Sequence, residues 1–257
     1  MSRNLYRLSY LLLATALQAT LPAQAGTPPT ISFADQPVRL LRGTSFYGAS
    51  RGAHLETGDI LDTGASNVQI EGVGDATLAL GPASRVYFTL GQGAPELHFL
   101  SGWLKIQAGK AGAASATGIA SGALKFVLNG GSVIVHNETG KTELFVEDGE
   151  LAVTETQAGK AARTTKIARE QYAVRNAETA LKLLPRAPKQ FLGGMPHVFL
   201  DMLVPVSIKG AAPAPKMDAP ASYAQVASWL TDAPAVRQTL QRRFNPPPKK
   251  TGVGAPR

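Results

Sequence analysis

The sequence predicts an all-β protein: a sandwich, β-roll or β-helix-like domain of many short strands, followed by short C-terminal helices. Three observations predict it. From residue 31 to about residue 174, apolar residues alternate with other residues in short runs, which is the period of half-buried strands. Turns rich in Gly and Asn separate these runs, as at residues 129–132 and 137–141. After Lys182 the alternation stops, and prolines and apolar residues at helical spacing follow.

Residues 1–25 have the order of a secretory signal peptide. Arg3 and Arg7 precede an apolar run over residues 8–21, and the small-residue triplet at 23–25 is a cleavage site. An uncleaved anchor is the alternative, but the run is shorter than the about 20 apolar residues that a membrane span needs. With no cysteine in the chain, lipoprotein attachment and disulfides are excluded. We expect a periplasmic protein with no transmembrane span after cleavage; outer-membrane association or secretion stays open.

The charges divide the mature chain into an acidic and a basic part. Residues 26–157 contain 8 Lys/Arg against 13 Asp/Glu, a net charge of −5, whereas residues 158–257 contain 16 against 5, a net charge of +11. The last 25 residues have no acidic side chain, and the candidates there for contact with an anionic surface are Arg237, Arg242, Arg243, Lys249 and Lys250. Such an arm binds anionic headgroups or phosphates, or stays a solvated tail. Export argues against nucleic acid as the partner.

These patterns divide the chain into six parts. They are a signal peptide (1–25), a FecR-like β domain (26–182), a short helical segment (183–204), an Ala/Pro-rich linker (205–221), a second helical segment (222–244) and a basic disordered tail (245–257). The apolar stripes of both helical segments are too narrow for independent folding, so we expect them to pack on the β domain.

One sequence element occurs twice. Residues 96–106 align without gaps on residues 143–153, 47 positions later. Each copy has an apolar run, a pair that ends in Gly102 or Gly149, and a second apolar run. Because Gly supplies the positive φ of tight hairpin turns, each copy is predicted to be a β-hairpin. Two copies indicate a duplication but are too few to identify a solenoid.

Several segments resemble, in their order, the FecR-type periplasmic domains. Residues 58–63 (Gly-Asp-Ile-Leu-Asp-Thr) resemble that family's opening motif, and residues 76–86, 100–106, 142–153 and 167–174 resemble its later strands. The resemblance implies a β-roll or β-helix-like stack. The family includes transmembrane regulators that sense an outer-membrane receptor and control a sigma factor, as well as stand-alone exported domains. Since only seven residues precede the apolar run, we expect a stand-alone member without the anti-sigma region.

Local patterns give little support to an enzyme or a metal site. Residues 48–52 fit the Gly-x-Ser-x-Gly pattern of hydrolases around Ser50, but neither the buried strand before it nor the helix after it is indicated. An ordinary turn is therefore favoured there. The histidines His54, His98, His136 and His197 lack ligand spacing, and no Asp-rich loop has the spacing of an EF-hand. No catalytic residue, metal or cofactor is predicted.

Trp103 is the candidate for contact with a glycan or a partner, because exposed aromatic rings stack on sugars; packing inside the protein is the alternative. The sequence thus predicts a non-enzymatic periplasmic FecR-like binding or scaffold module of the cell envelope. Its expected partner is an unidentified envelope protein or an anionic envelope surface. The alternative is a ligand-sensing or signalling component of an envelope receptor complex, and a weaker alternative is a Ser-dependent esterase.

Overall fold

A computed structural model describes residues 28–91, 94–109, 116–157, 159–177, 179–208 and 213–246. The predicted signal peptide and most of the basic tail lie outside these residues. The all-β prediction is confirmed. The strands within the described ranges are β1 (Thr30–Ala34), β2 (Val38–Arg42), β3 (Ser45–Ala49), β4 (Ile60–Asp62), β5 (Val68–Val73), β6 (Ala76–Leu80), β7 (Arg85–Thr89), β8 (Glu96–Ala108), β9 (Thr117–Ser121), β10 (Leu124–Leu128), β11 (Gly131–Glu138), β12 (Lys141–Asp148), β13 (Glu150–Glu155), β14 (Arg163–Ala168), β15 (Tyr172–Asn176), β16 (Lys182–Leu184) and β17 (Lys216–Pro220).

The predicted short C-terminal helices are present. They are α1 (Lys189–Gly194), a 3₁₀ turn (His197–Phe199), α2 (Tyr223–Val226), a second 3₁₀ turn (Ala227–Leu230) and α3 (Pro234–Phe244). Pro234 begins α3, a position at which proline loses no helical hydrogen bond. Among the described residues, none of these helices is long and apolar enough to cross a bilayer.

The strands form two layers. Sheet A has the order β1-β5-β6-β8-β11-β12-β15-β16, and sheet B has the order β17-β3-β2-β4-β7-β8-β9-β10-β13-β14. The described strand pairs are antiparallel except β8 with β9. Strand β8 belongs to both sheets and links them. One continuous cluster of buried apolar side chains from both sheets lies between the layers, which is a sandwich arrangement.

The outer faces of the sandwich are apolar as well as its interior, because neighbouring residues of several strands are both apolar. In β2, Leu40 belongs to the inner core, whereas the next residue, Leu41, belongs to a second cluster on the outer face of sheet B. In β11, Val133 lies in the core, whereas Ile134 lies in a third cluster on the outer face of sheet A. Side chains of neighbouring strand residues point to opposite faces, so both sheets need a cover on the outside.

The C-terminal segments supply both covers. The chain from α1 onward buries Phe191, Met195 and Phe199 on the outer face of sheet A. The region α2–α3 buries Val226, Leu230, Val236 and Leu240 on the outer face of sheet B. The last 60 or so described residues thus wrap the sandwich on two sides.

Strand β17 lies within residues 205–221, for which the sequence predicts an Ala/Pro-rich linker. It pairs with β3 at the end of sheet B. All five of its side chains are exposed, so no alternation of apolar residues indicated it. Main-chain pairing, rather than burial, places this segment.

The hairpin prediction for the repeated element is wrong. Strand β8 runs without a break: residues up to Ser101 pair with β7 in sheet B, and residues from Gly102 onward pair with β11 in sheet A. The chain crosses between the sheets at Gly102, which has a φ of 90°. A Cβ atom there would lie 2.5 Å from Cα of Ser84, so only glycine fits this corner.

The second copy of the element is also a corner between the sheets. Strand β12 pairs with β11 in sheet A up to Asp148, and β13 pairs with β14 in sheet B from Glu150. Gly149 between them has a φ of 82°. The first copy crosses from sheet B to sheet A and the second crosses back. A glycine with positive φ therefore marks a change of sheet in both copies.

Candidate functional site

The outer face of sheet A carries a segment that follows α1 and begins with the 3₁₀ turn His197–Phe199. Residues 196–208, called the strap below, cross this face and have no regular strand pairing in the structure. Phe199 and Leu203 point inward and are 0% and 6% exposed. They share a buried cluster with Tyr172 of β15 and Phe191 of α1.

Two side chains of β8 hold the main chain of the strap. The Lys105 ammonium donates to the carbonyls of Phe199 at 2.7 Å and Asp201 at 2.9 Å. The Gln107 amide donates to the carbonyl of Leu203 and accepts from its N–H, both at 3.0 Å. Their strand neighbours are core residues, so the pleat points Lys105 and Gln107 outward at the strap.

Two side chains of β5 continue these contacts. Gln69 donates to the carbonyl of Val204 at 2.8 Å, and the Glu71 carboxylate accepts from the N–H of Val206 at 3.4 Å. Thr77 of β6 donates to the other oxygen of Glu71 at 2.7 Å. The strap is therefore held from β8 to β5 through its main chain.

A partly buried ion pair supports Lys105. This side chain is only 3% exposed, and its ammonium lies 2.8 Å from Oε2 of Glu147. The same oxygen of Glu147 accepts from the hydroxyl of Ser132 at 2.6 Å. The three donors of the ammonium are thus all used, which a buried lysine needs.

The outward side of the strap is apolar and open to solvent. Its large exposed side chains, called the outer row below, are Val198 (44%), Leu200 (67%), Met202 (78%), Val204 (70%) and Val206 (36%). Acidic side chains border the row. Asp201 is exposed within it, and Glu147 and Asp148 line a groove of about 410 Å³ together with Leu200 and Met202.

A second feature of this face is a buried polar cluster around Glu143 of β12, which is 4% exposed. One carboxylate oxygen lies 2.8 Å from Nδ1 of His136, and the other lies 2.9 Å from Nζ of Lys141. The hydroxyl of Tyr172 donates to the second oxygen. Tyr172 and Glu143 are 29 positions apart in the sequence and meet because β12 pairs with β15. Phe191 of α1 packs against the ring of Tyr172 and covers it.

The surroundings of Glu143 and Tyr172 shift the pKa values of these two side chains in opposite directions. Burial opposes the ionisation of Glu143, but hydrogen bonds from His136, Tyr172 and Lys141 outweigh burial and lower the pKa of Glu143 to about 2. Burial and the neighbouring Glu143 carboxylate raise the pKa of Tyr172 well above its ordinary value. General acid–base catalysis is most efficient with a pKa near the working pH, so these two groups suit a structural role.

Acid unfolding should therefore depend on Glu143. Its folded pKa lies below its ordinary value of 4.5, so the ionised group stabilises the fold above pH 4.5, and this stabilisation is lost as the pH falls towards 2. The loss is on the order of 3 kcal/mol. We expect Glu143→Gln to flatten the decrease in the free energy of unfolding between pH 5 and 2, measured by urea denaturation.

Glu138→Gln is the matched control for this pH dependence. The Glu138 carboxylate is 63% exposed and lies 3.5 Å from Nε2 of the same His136. An exposed pair contributes little, so this variant should keep the wild-type pH slope. A Glu143→Gln slope equal to that of the wild type would contradict the assignment.

Trp103 lies next to this cluster, in the sheet A part of β8. One face of its ring stacks on His136, with centroids 3.9 Å apart and the planes at 14°, and the Phe191 centroid lies 5.1 Å away. Trp103 also lines a groove of about 400 Å³ with Pro82 and Pro196. A sugar stacks on an open ring face, and His136 covers one face, so this geometry favours packing.

The basic residues predicted to contact an anionic surface have separate roles where the structure describes them. The Arg237 guanidinium donates to two carbonyls before α3, at 2.6 and 2.7 Å. The Arg243 guanidinium donates to the carbonyl of Gly58 at 2.9 Å and so attaches α3 to the β domain. Arg242 is exposed. Lys249 and Lys250 lie outside the described residues.

Asp59 belongs to the Gly-Asp pair in the segment that resembles FecR-type domains, and its carboxylate is fully hydrogen-bonded. Asp59 is 1% exposed, and its two carboxylate oxygens accept from Nε and Nη2 of Arg42 at 2.9 and 2.6 Å. It also accepts from the N–H of Glu56 at 2.8 Å, which fixes the turn before β4. Such two-point pairing of Arg with a carboxylate is strong and directional.

The described residues form neither a hydrolase site around Ser50 nor a metal site. Ser50 is exposed after β3, and the residues between it and β4 form turns without a helix, whereas the hydrolase motif needs one. In the described part of the chain, no three His, Cys, Asp or Glu side chains are placed to hold a metal ion.

Lys105, Gln107, Glu143 and the strap were not predicted from the sequence as parts of a site. One signal was present: Lys105 and Gln107 occupy outward positions in a strand whose inward positions are core residues. A second signal was the strap itself, in which residues 198–206 are apolar at every position except Asp201. Such a run is typical of a segment with apolar contacts on both faces.

Comparisons with known proteins give only a partial structural similarity. No protein-family model matches the chain, so the resemblance to FecR-type domains stays a prediction. No curated protein matches it either.

Two crystal structures of a candidate anti-sigma factor from Parabacteroides distasonis ATCC 8503 are similar to part of the chain. The first, at 1.65 Å resolution, is 10% identical over 49% of this chain and 59% of that one, with a TM-score of 0.42. The second, at 2.50 Å, is 12% identical over 48% of this chain and 57% of that one, with a TM-score of 0.40. The chain thus spans less than two thirds of these structures, and the similarity carries no argument about function.

Proposed function

We propose that the protein is a non-enzymatic binding or scaffold module of the bacterial cell envelope, exported to the periplasm, that binds a protein partner through the outer row of the strap. The observation that carries this proposal is the exposure of five successive alternate apolar side chains on one segment, up to 78% at Met202. Contiguous apolar surface of this kind is typical of interaction sites. The apolar faces of α2 and α3, by contrast, are buried on sheet B.

The charges around the outer row indicate the chemistry of the partner. Asp148 and Asp201 border the row, so an anionic membrane surface would be repelled there. A protein surface that combines apolar side chains with Lys or Arg would be complementary in both respects. We therefore infer that the partner at the outer row is an envelope protein with an apolar, basic patch.

The C-terminal arm supports a second, separate contact. Arg242 is exposed on α3, which packs on sheet B, on the side of the sandwich opposite to the strap. An anionic envelope surface therefore remains the predicted partner of Arg242, Lys249 and Lys250. If the protein partner is a receptor complex, the same outer row would serve the alternative role of a sensing or signalling component.

Crosslinking in intact cells, followed by a pull-down, tests the outer row. We expect Met202→Ser/Val204→Ser to reduce capture of the partner at least tenfold, because these are the two most exposed side chains of the row. Val127→Ser is the matched control, since Val127 is 55% exposed on β10 and lies outside the strap. Equal capture by the double variant and the control would contradict the proposal. Deletion of residues 245–257 in the same experiment tests the arm, which should affect only anionic envelope material.

A further inference from the structure

A pocket of about 340 Å³ lies at the end of the strap, where residues 205–208 pass beside β1 and the turn that follows β3. Apolar and polar side chains both line it. The apolar ones are Pro28, Pro205, Val206 and Ile208, and the polar ones are Thr30, His54, Glu71 and Ser207. Sites for small molecules have this kind of lining, and this volume is at the lower end of their range.

Strand pairing places two ionisable side chains on either side of Thr30. This residue of β1 is the register partner of Glu71 in β5, and it forms an isolated bridge with His54 on its other side. The usual spacing of antiparallel strands then puts the Cα atoms of Glu71 and His54 about 10 Å apart. Both side chains line the pocket, so a small ligand there meets both.

The contacts of His54 make its imidazole a hydrogen-bond acceptor. The hydroxyl of Thr30 donates its one proton to the carbonyl of Pro28 at 2.8 Å. Its second contact, also 2.8 Å, is with Nδ1 of His54, so the proton of that bond belongs to Nδ1. In the neutral ring Nε2 then carries no proton and accepts a hydrogen bond. Thr30 is the one hydrogen-bond partner of this ring within the described residues, which leaves Nε2 available to a ligand.

Glu71 gives the pocket a negative charge. Its half-buried carboxylate accepts hydrogen bonds from four groups, which are the Ser32 hydroxyl (3.4 Å), the Gln69 amide (2.7 Å), the Thr77 hydroxyl (2.7 Å) and the Val206 N–H (3.4 Å). All four donors are neutral, so none of these contacts compensates the charge of Glu71. A partly buried carboxylate without a cationic partner attracts a positively charged ligand.

We propose that this pocket binds a small organic amine, with its ammonium group on the side of Glu71 and His54 and its hydrocarbon part against Pro205 and Ile208. Glu71 repels an anion, and a wholly apolar molecule leaves the polar groups without a donor. This inference goes beyond the proposed function and does not rest on it. Met202 and Val204, the two most exposed residues of the outer row, do not line the pocket.

The test compares three probes of similar shape and different charge on the mature chain, residues 26–257. They are phenethylamine, a cation, phenethyl alcohol, which is neutral, and phenylacetate, an anion. In titrations followed by amide NMR, we expect phenethylamine to bind with a Kd on the order of 1 mM. The other two probes should bind at least fivefold more weakly. The amide signals that shift should be those of the pocket, above all Gly52, His54 and Ser207.

Glu71→Gln separates the charge of the pocket from its shape. Glutamine keeps the size of the side chain and an oxygen that accepts from Val206, but it removes the charge. We expect binding of phenethylamine to weaken at least fivefold and binding of phenethyl alcohol to change less than twofold. Asp75→Asn is the matched control, because Asp75 is exposed in the turn between β5 and β6 and does not line the pocket. It makes the same change of net charge and should alter binding of phenethylamine less than twofold.

Three results would overturn the proposal. They are equal affinities for the three probes, no shift of the pocket amides at about tenfold the expected Kd of phenethylamine, and equal weakening by Glu71→Gln and Asp75→Asn. The comparison of probes uses the wild-type chain, so it decides the matter even if Glu71→Gln does not fold. Met202→Ser/Val204→Ser should leave binding of phenethylamine unchanged, which distinguishes a failure of the outer row from a failure of the pocket.

Discussion

Gly102→Ala should destabilise the protein by about 3 kcal/mol or more, or prevent it from folding, because β8 passes from sheet B to sheet A at this residue. The residue has a φ of 90°, which alanine adopts only at a cost. Its Cβ would also lie 2.5 Å from Cα of Ser84 and 2.8 Å from the carbonyl oxygen of Ala83. These are main-chain atoms between β6 and β7, so both sheets would have to shift. Urea denaturation of the purified variant measures the loss.

Variants of Gly43 and Gly48 separate the two causes of this loss, which are the positive φ and the crowding of the added Cβ. Gly43 has a φ of 59° with no atom within 4 Å of an added Cβ, so Gly43→Ala should cost only about 1 kcal/mol for the conformation. Gly48 in β3 has open space and no positive φ, so Gly48→Ala should change stability by less than about 1 kcal/mol. Losses of similar size in all three variants would contradict the role of crowding at the corner.

Lys105→Met should destabilise the protein by about 2–4 kcal/mol and release the strap. Methionine has nearly the same volume, so the change removes the charge and the donors without leaving a large cavity. The carbonyls of Phe199 and Asp201 lose their donor, and Glu147 loses its cation in a partly buried site. The free energy of unfolding and the exchange rate of the Leu203 amide should both show the change.

Lys125→Met is the control for this variant. The Lys125 ammonium is 65% exposed and lies 3.4 Å from Glu96, so its loss should cost less than about 1 kcal/mol. A Lys105→Met variant as stable as this control, with unchanged exchange at Leu203, would show that the buried side chains of Phe199 and Leu203 alone hold the strap.

The strands of the sandwich were predictable because burial on one face leaves a local pattern. Alternation at β10 or β13 is readable from five or six residues, and the all-β class follows from its recurrence. The corners were not predictable, because a positive φ at Gly102 or Gly149 suits a hairpin and a change of sheet equally well. The choice depends on Ser84, far away in the sequence, whose main chain packs against Gly102.

The site was less predictable than the fold for a related reason. The polar cluster forms only because β11, β12 and β15 are neighbours in sheet A, which brings together His136, Glu143 and Tyr172. The order of strands in a sheet cannot be predicted from the sequence of any single strand. Trp103 was singled out for its aromatic ring, but its stacking on His136 depends on the pairing of β8 with β11. Strand β17 has no buried side chain, so its sequence contains no alternation that would predict a strand.

The wrap around the sandwich has a consequence for the order of biosynthesis. A chain made from its N-terminus completes sheet A, and all of sheet B except its end strand β17, before it reaches α1. The outer-face residues Leu41, Phe46, Ile60 and Tyr87 then have no cover until α2 and α3 emerge. Roughly 60 residues separate these stages, on the order of 3–12 s at usual rates of synthesis. During that interval the nascent protein presents a water-exposed apolar sheet, so a chain that terminates early near Pro188 should be captured by chaperones or aggregate.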